Sequence, residues 1–259
     1  MAEGRYLYAI ARDLDAGAIR GVQGLDGVPV EAVEHRGLSA IVSTVDLAEY
    51  GEEALRRNLE DLAWLEKVAR GHDTVIHAVA GSAATAPLRL ATICLDDDGV
   101  RARLDEWHDA LQAALDRVEG RAEWAVKAFA RSGSAEESPA SVPAGQETSG
   151  TGAGLAYLQR KKSQVQQQAQ SQERAQQVAE EVHRALAERC VASRRLAPQD
   201  PRLTGHEGVM TLNGAYLVER SEGDAFAAAV RELAERHPDA HLTVAGPWPP
   251  YSFATLEQA

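Results

Sequence analysis

Between Ser132 and Gly154 the chain is built from Ser, Gly, Pro, Glu, Thr and Ala with few large apolar side chains. Such a run cannot bury enough surface to offset the entropy of ordering it. It is expected as a flexible linker, and it imposes two cores on the chain rather than one. The expected organisation is an N-terminal domain over 1–131, the linker over 132–154 and a C-terminal domain over 155–259. A length of 259 residues agrees, since domains commonly run about 100–200 residues.

Hydrophobic residues make up 44% and charged residues 25%, a balance suited to folded domains. Aromatics are only 5%, so the cores must be built mainly from Leu, Val, Ile and Ala. The formal charge of −12 argues against nucleic acid or an anionic lipid membrane as partner. Two cysteines, Cys94 and Cys190, are too few for a disulfide framework or a Cys-rich zinc site. Each sits in an apolar stretch and is expected as a small buried thiol. Glu3 and Arg5 stand near the start, and no long apolar segment follows. No signal peptide or membrane span is expected, and the cytoplasm is the expected compartment.

In the first domain, Arg5–Ala11, Val28–His35 and Leu38–Val45 read as strands, with Gly37 permitting a hairpin turn. Leu55, Leu59, Leu62, Leu65 and Ala69 recur at helical spacing, and the pattern extends through His72, Ile76 and Val79. Pro87–Leu95 reads as a buried strand. Asp96, Asp97 and Asp98 cap a helix whose stripe is Val100, Leu104, Trp107, Leu111, Leu115 and Val118. Glu123–Phe129 is expected as the last strand of the domain. The order implies α+β architecture: a ferredoxin-like sheet with helices on one face.

The second domain opens with a long helix over Tyr157–Arg189, free of Pro and Gly. Leu158, Val165, Ala169, Gln172, Ala179, Val182 and Leu186 approximate a heptad seam that glutamine interrupts. Strands over Cys190–Leu196, Val209–Val218 and His241–Ala245 and a helix over Asp224–His237 complete a second small α/β domain, Pro238 ending that helix.

No residue set demands catalysis. His72 and His77 are five apart, which puts them about 140° apart around a helix. The other histidines lack ligand spacing, so no metal is expected. No Gly-x-Ser-x-Gly elbow is present. Gly150–Gly154 lacks the Lys-Ser/Thr ending of a phosphate loop, so no cofactor is expected. The charged set Arg70, His72, Arg89, Glu123 and Lys127 is the candidate site. Arg89 lies in an apolar strand and needs a partner if buried, with Glu123 or Glu66 available. The set forms either a structural ion pair tying helix to sheet or a polar cleft for a partner segment. Trp248, between Pro247 and Pro249, is either a staple for the C-terminus or an aromatic anchor for a partner.

Several separated segments resemble the gas vesicle protein L/F family. They are Tyr6-Leu7-Tyr8, Gly37–Ser43, Trp64-Leu65-Glu66 with Ala69-Arg70 and His72, Pro87-Leu88-Arg89, Glu123-Trp124 with Lys127, Gly154 and Tyr157-Leu158 with Arg160-Lys161-Lys162, Ala215–Val218, and the closing Gly246–Phe253. The family's Pro-Leu-Arg strand usually continues Phe-Gly, where this chain has Leu90 and Ala91; these departures are expected to concern packing. The resemblance implies two domains, a ferredoxin-like one and an α/β one. It implies a non-catalytic accessory or minor structural role in gas vesicle assembly, with the major shell protein and other accessory proteins as partners. Two alternatives are a ferredoxin-like enzyme or ligand-binding regulator and a homo-oligomeric scaffold working through the long helix.

Overall fold

The computed structural model describes residues 2–15, 17–130, 152–199 and 208–254. The expected linker lies outside the described residues except for Gly152–Gly154, which open a helix. His206 also lies outside them.

The chain forms two compact units. One comprises 1–124, 217–223 and 246–259; the other comprises 125–216 and 224–245.

The first unit contains β1 (Glu3–Arg12), β2 (Glu31–His35), β3 (Leu38–Asp46), α1 (Leu47–Tyr50), α2 (Glu52–Asn58), α3 (Leu62–Ala80), β4 (Ala84–Cys94), α4 (Asp97–Glu106) and α5 (His108–Val118). Its sheet runs β4-β1-β3-β2, the fourth-first-third-second order of a ferredoxin-like sheet, with every pairing antiparallel. The β2–β3 hairpin turns at Arg36 (φ 50°) and Gly37 (φ 77°), the two successive positive φ values that a tight hairpin turn needs.

Two expected helices are each interrupted. Asp61 accepts hydrogen bonds from the amides of Ala63 and Trp64, so a new helix starts at Leu62. The buried stripe of α3 is therefore Val68, His72, Val75, Ile76 and Val79, while Leu59 and Leu62 face solvent. At Trp107 the backbone (φ −99°, ψ 4°) separates α4 from α5. Asp96 caps α4 through the Gly99 amide at 2.8 Å, as the acidic run implied.

The core under α3 gathers Tyr6, Tyr8, Ala9, Ala11, Ile41, Val45 and Tyr50 against the helix stripe. A bulge at Tyr8 shifts the alternation, so Tyr8 and Ala9 share this face. Leu7, Ile10, Ala40 and Val42, on the other face, are fully buried too, and α4 and α5 contact these strands. Helices thus line both faces of this sheet rather than one.

A second sheet runs β8-β5-β7-β6, built from β5 (Arg121–Ala130), β6 (Ala192–Arg195), β7 (Met210–Glu219) and β8 (Ala240–Trp248), with α6 (Gly152–Ala187) and α7 (Gly223–Arg236) between strands. The chain order β5-α6-β6-β7-α7-β8 with this strand order repeats the ferredoxin-like pattern. β5, expected to close the first sheet, instead opens the second. Among the described side chains of α6, the buried ones lie in its C-terminal part: Ala179, Val182 and Leu186. Val165, Ala169 and Gln172 of the supposed heptad seam are exposed. Around Val165 the neighbours are Gln, Lys and Ser, so that stretch offers no continuous apolar stripe.

Candidate functional site

The first unit's sheet is interrupted where β1 meets β4. Leu7 pairs with Thr92 and Ala9 with Pro87, so Tyr8 alone stands opposite Leu88–Ala91. This broad bulge pushes Arg89 out to solvent, although apolar residues surround it in sequence. Ala91 within it adopts φ 62°, a left-handed conformation that favours glycine. The substitution at this position is therefore a backbone matter as well as a packing one.

His72 holds the bulge in place. Its ring is buried, with Nε2 3.2 Å from the Leu88 carbonyl and Nδ1 3.0 Å from the Tyr6 hydroxyl. A carbonyl only accepts, so Nε2 carries the proton and donates, and Nδ1 accepts from Tyr6. The Tyr6 hydroxyl also accepts from the Ala91 amide at 3.1 Å. The Thr92 hydroxyl donates to the Arg89 carbonyl at 2.8 Å. Burial pushes the His72 pKa down from 6.5 to about 4, keeping the ring neutral at pH 7. Burial likewise pushes the Tyr6 hydroxyl above its ordinary value. His72 is thus a structural hub: both ring nitrogens are engaged by the protein and the ring is uncharged.

Along the bulge runs a groove of about 580 Å³, lined by Ala69, Arg70, His72 and Asp73 of α3, Pro87–Leu90 of β4, and Tyr251. Arg70 pairs with Glu66 one turn earlier on exposed helix surface, and Asp73 accepts from the Tyr251 hydroxyl at 2.9 Å. Burial, then this bond, holds the Tyr251 pKa above its ordinary value. Neither Glu66 nor Glu123 serves Arg89, and among the described residues no carboxylate lies within ion-pair distance of it. Among the described residues the expected ion pair at Arg89 does not form, because the bulge turns the side chain outward.

Glu123 is buried and receives the closing segment instead. Its carboxylate accepts from the Ser252 amide at 2.7 Å and the Ser252 hydroxyl at 2.6 Å. Phe253 and Ala254 are each 1% exposed, and Arg117 donates to the Phe253 carbonyl at 3.0 Å. The closing segment is therefore a staple, but Ser252 and Phe253 make it. Trp248 is 45% exposed at the end of β8, edge-on to His77. β8 lies at the edge of its sheet, where proline is best tolerated. Gly246 has φ 144°, and a Cβ there would stand 3.0 Å from the Glu123 carbonyl. Lys127 belongs to the second unit, where its amine donates to Gln199 at 2.8 Å.

Of the expected site residues, the fold brings Arg70, His72 and Arg89 to one groove. Glu123 anchors the tail that carries Tyr251 into that groove. Tyr251, which lines the groove, and Tyr6, which bonds His72, were not foreseen in these roles. Tyr6 had a signal, a hydroxyl in a mainly apolar stretch that needs a partner when buried. A smaller cavity of about 190 Å³ is lined by Arg121 and Arg220, which are engaged by Glu219 at 2.8 Å and the Ala80 carbonyl at 2.7 Å. Among the described residues no cluster of three His, Cys, Asp or Glu could hold a metal, and no helix is long and apolar enough to cross a membrane.

These features define an α+β protein with two ferredoxin-like sheets and an open, partly apolar groove whose buried polar groups are occupied in holding the backbone. The chain belongs to the family described as gas vesicle synthesis protein GvpL/GvpF, whose model matches residues 4–255. It is 38% identical to gas vesicle protein L of Streptomyces sp. (strain CB03234), over 98% of this chain and 94% of that one. It is 27% identical to gas vesicle protein F of the same strain, over 96% and 98%. Its fold matches the crystal structure of GvpF from Anabaena sp. PCC7120 with a TM-score of 0.67 at 18% identity, over 99% of this chain and 98% of that one. Membership ties the chain to gas vesicle assembly and to association with other gas vesicle proteins.

Proposed function

We propose that the chain is a non-catalytic accessory or minor structural protein of gas vesicle assembly, acting in the cytoplasm and at the vesicle by binding the major shell protein and other accessory proteins. The full-length family match carries this reading. The groove's chemistry supports it. His72 and Tyr6 hold the bulge, Asp73 holds Tyr251, and the remaining lining offers an apolar floor with arginines at its rim. That is a surface for recognition rather than for proton or group transfer.

Deletion of the gene, with vesicles counted by electron microscopy, tests the role. Affinity capture of the major shell protein by the tagged chain tests the contact. Loss of vesicles together with capture is expected. Normal vesicles in the deletion strain and no capture would overturn the proposal.

A further inference from the structure

We infer that the groove between α3 and the β4 bulge docks a protein segment that presents an apolar side chain next to a carboxylate; this rests on the assembly role proposed above. The floor is apolar: Pro87 and Leu88 are buried and Leu90 half-buried, with Ala69 opposite on α3. A volume of about 580 Å³ accommodates one or two large side chains.

Charge selects the occupant. The chain as a whole carries −12, yet the groove presents cations. Arg89 has no carboxylate at ion-pair distance among the described residues. Arg70 pairs with Glu66 alone among the described residues, in an exposed pair one helical turn apart, which is worth little and is readily exchanged. The one acid in the lining, Asp73, is occupied by Tyr251 and lies 3.2 Å from His77 Nδ1. A carboxylate on the incoming segment meets a guanidinium that can bind it bidentately.

The bulge also selects how the segment binds. β4 is the outer strand of its sheet, and a flat outer strand would invite another strand along its whole length. Leu88–Ala91 breaks that edge, so recognition falls to side chains entering the groove rather than to strand addition. Because His72, Tyr6 and Thr92 fix the bulge before anything binds, ordering it costs the complex little.

The test is selection of binders to the full chain from a phage-displayed library of random nonapeptides, run in parallel on wild type and Arg89→Glu. Arg89 is exposed, so the variant is expected to fold; circular dichroism and tryptophan emission check this. Wild type should enrich peptides with an aliphatic or aromatic residue within two positions of Asp or Glu. Arg89→Glu should bind those peptides about tenfold more weakly, the factor one charge-assisted pair supplies, and should enrich Lys or Arg in their place. Leu90→Asp should abolish enrichment; Leu90 also packs against the core, so this variant counts only where circular dichroism shows the fold retained, and Arg89→Glu carries the test otherwise. No enrichment on wild type, no acidic bias, or a bias unchanged by Arg89→Glu would each overturn the inference. Complementing the deletion strain separates the two proposals. Full vesicle formation with Arg89→Glu defeats the groove and leaves the assembly role standing, whereas a deletion strain with normal vesicles defeats the role itself.

Discussion

Lowering the pH should destabilise the first unit through His72 in particular. Its pKa of about 4 in the fold, against 6.5 for an ordinary histidine, means that between these values the unfolded chain binds a proton the folded one refuses. Stability contributed by the neutral ring is therefore complete above pH 6.5 and is lost as pH falls towards 4. The gap of about 2.5 pH units, at about 1.4 kcal/mol each, amounts to about 3 kcal/mol in full and about 2 kcal/mol at pH 5. The comparison is with His72→Leu, which cannot titrate. At pH 7 this variant leaves the Tyr6 hydroxyl and the Leu88 carbonyl without their ring partner, a cost of about 2–4 kcal/mol. Urea unfolding at pH 7, 6 and 5, followed by tryptophan emission, measures the difference between the two proteins. Trp64 on α3 and Trp107 between α4 and α5 report on the first unit, whereas Trp124 and Trp248 lie on β5 and β8 of the second sheet, so variants keeping only Trp64 and Trp107 give the cleaner signal. Carboxylate titrations are common to both proteins and cancel. The deficit of His72→Leu should shrink by about 2 kcal/mol between pH 7 and pH 5. A deficit that stays constant would refute the assignment of a neutral, buried His72.

Three further substitutions test the packing. Ala91→Gly should raise the urea midpoint, since glycine relieves about 1 kcal/mol at a φ of 62°; a lowered midpoint would contradict the left-handed geometry. Gly24→Ala should cost about 1–3 kcal/mol, because the added Cβ would stand 2.3 Å from the Tyr8 hydroxyl, which the Leu25 amide and Ser43 both bind. Phe253→Ala should cost about 3–5 kcal/mol in thermal unfolding by emptying a site 1% exposed. An unchanged melting temperature would show that the closing segment is not the staple described.

Local structure was legible in the sequence wherever a side-chain pattern decides it. The β2–β3 hairpin, the Asp96 cap and the strand character of β5 follow from turn residues, capping chemistry and alternation. Which sheet β5 joins does not, since pairing is a long-range choice that alternation within Arg121–Ala130 cannot express. Apolar spacing carried the expected helix straight through Asp61, although an aspartate there can start a new helix and reset its phase. Arg89 was expected in a buried strand because its neighbours are apolar. The outcome turned on four residues of β4 facing one of β1, an irregularity with no local signature except the glycine-favouring position held by Ala91. His72 and Arg70 reached the groove through helix phase, whereas Tyr251 reached it by the tail's path past Glu123, which no spacing rule foretells.

The staple formed by Ser252 and Phe253 has a consequence for synthesis. Residues 217–223 and 246–259 belong to the same unit as residues 1–124. A ribosome that has made the first half of the protein has therefore not finished the first unit. Until Phe253 has left the exit tunnel, the carboxylate of Glu123 waits without the Ser252 groups that bind it in the finished fold. Truncated chains are thus unfinished at their beginning as well as at their end, which exposes incomplete products to proteolysis.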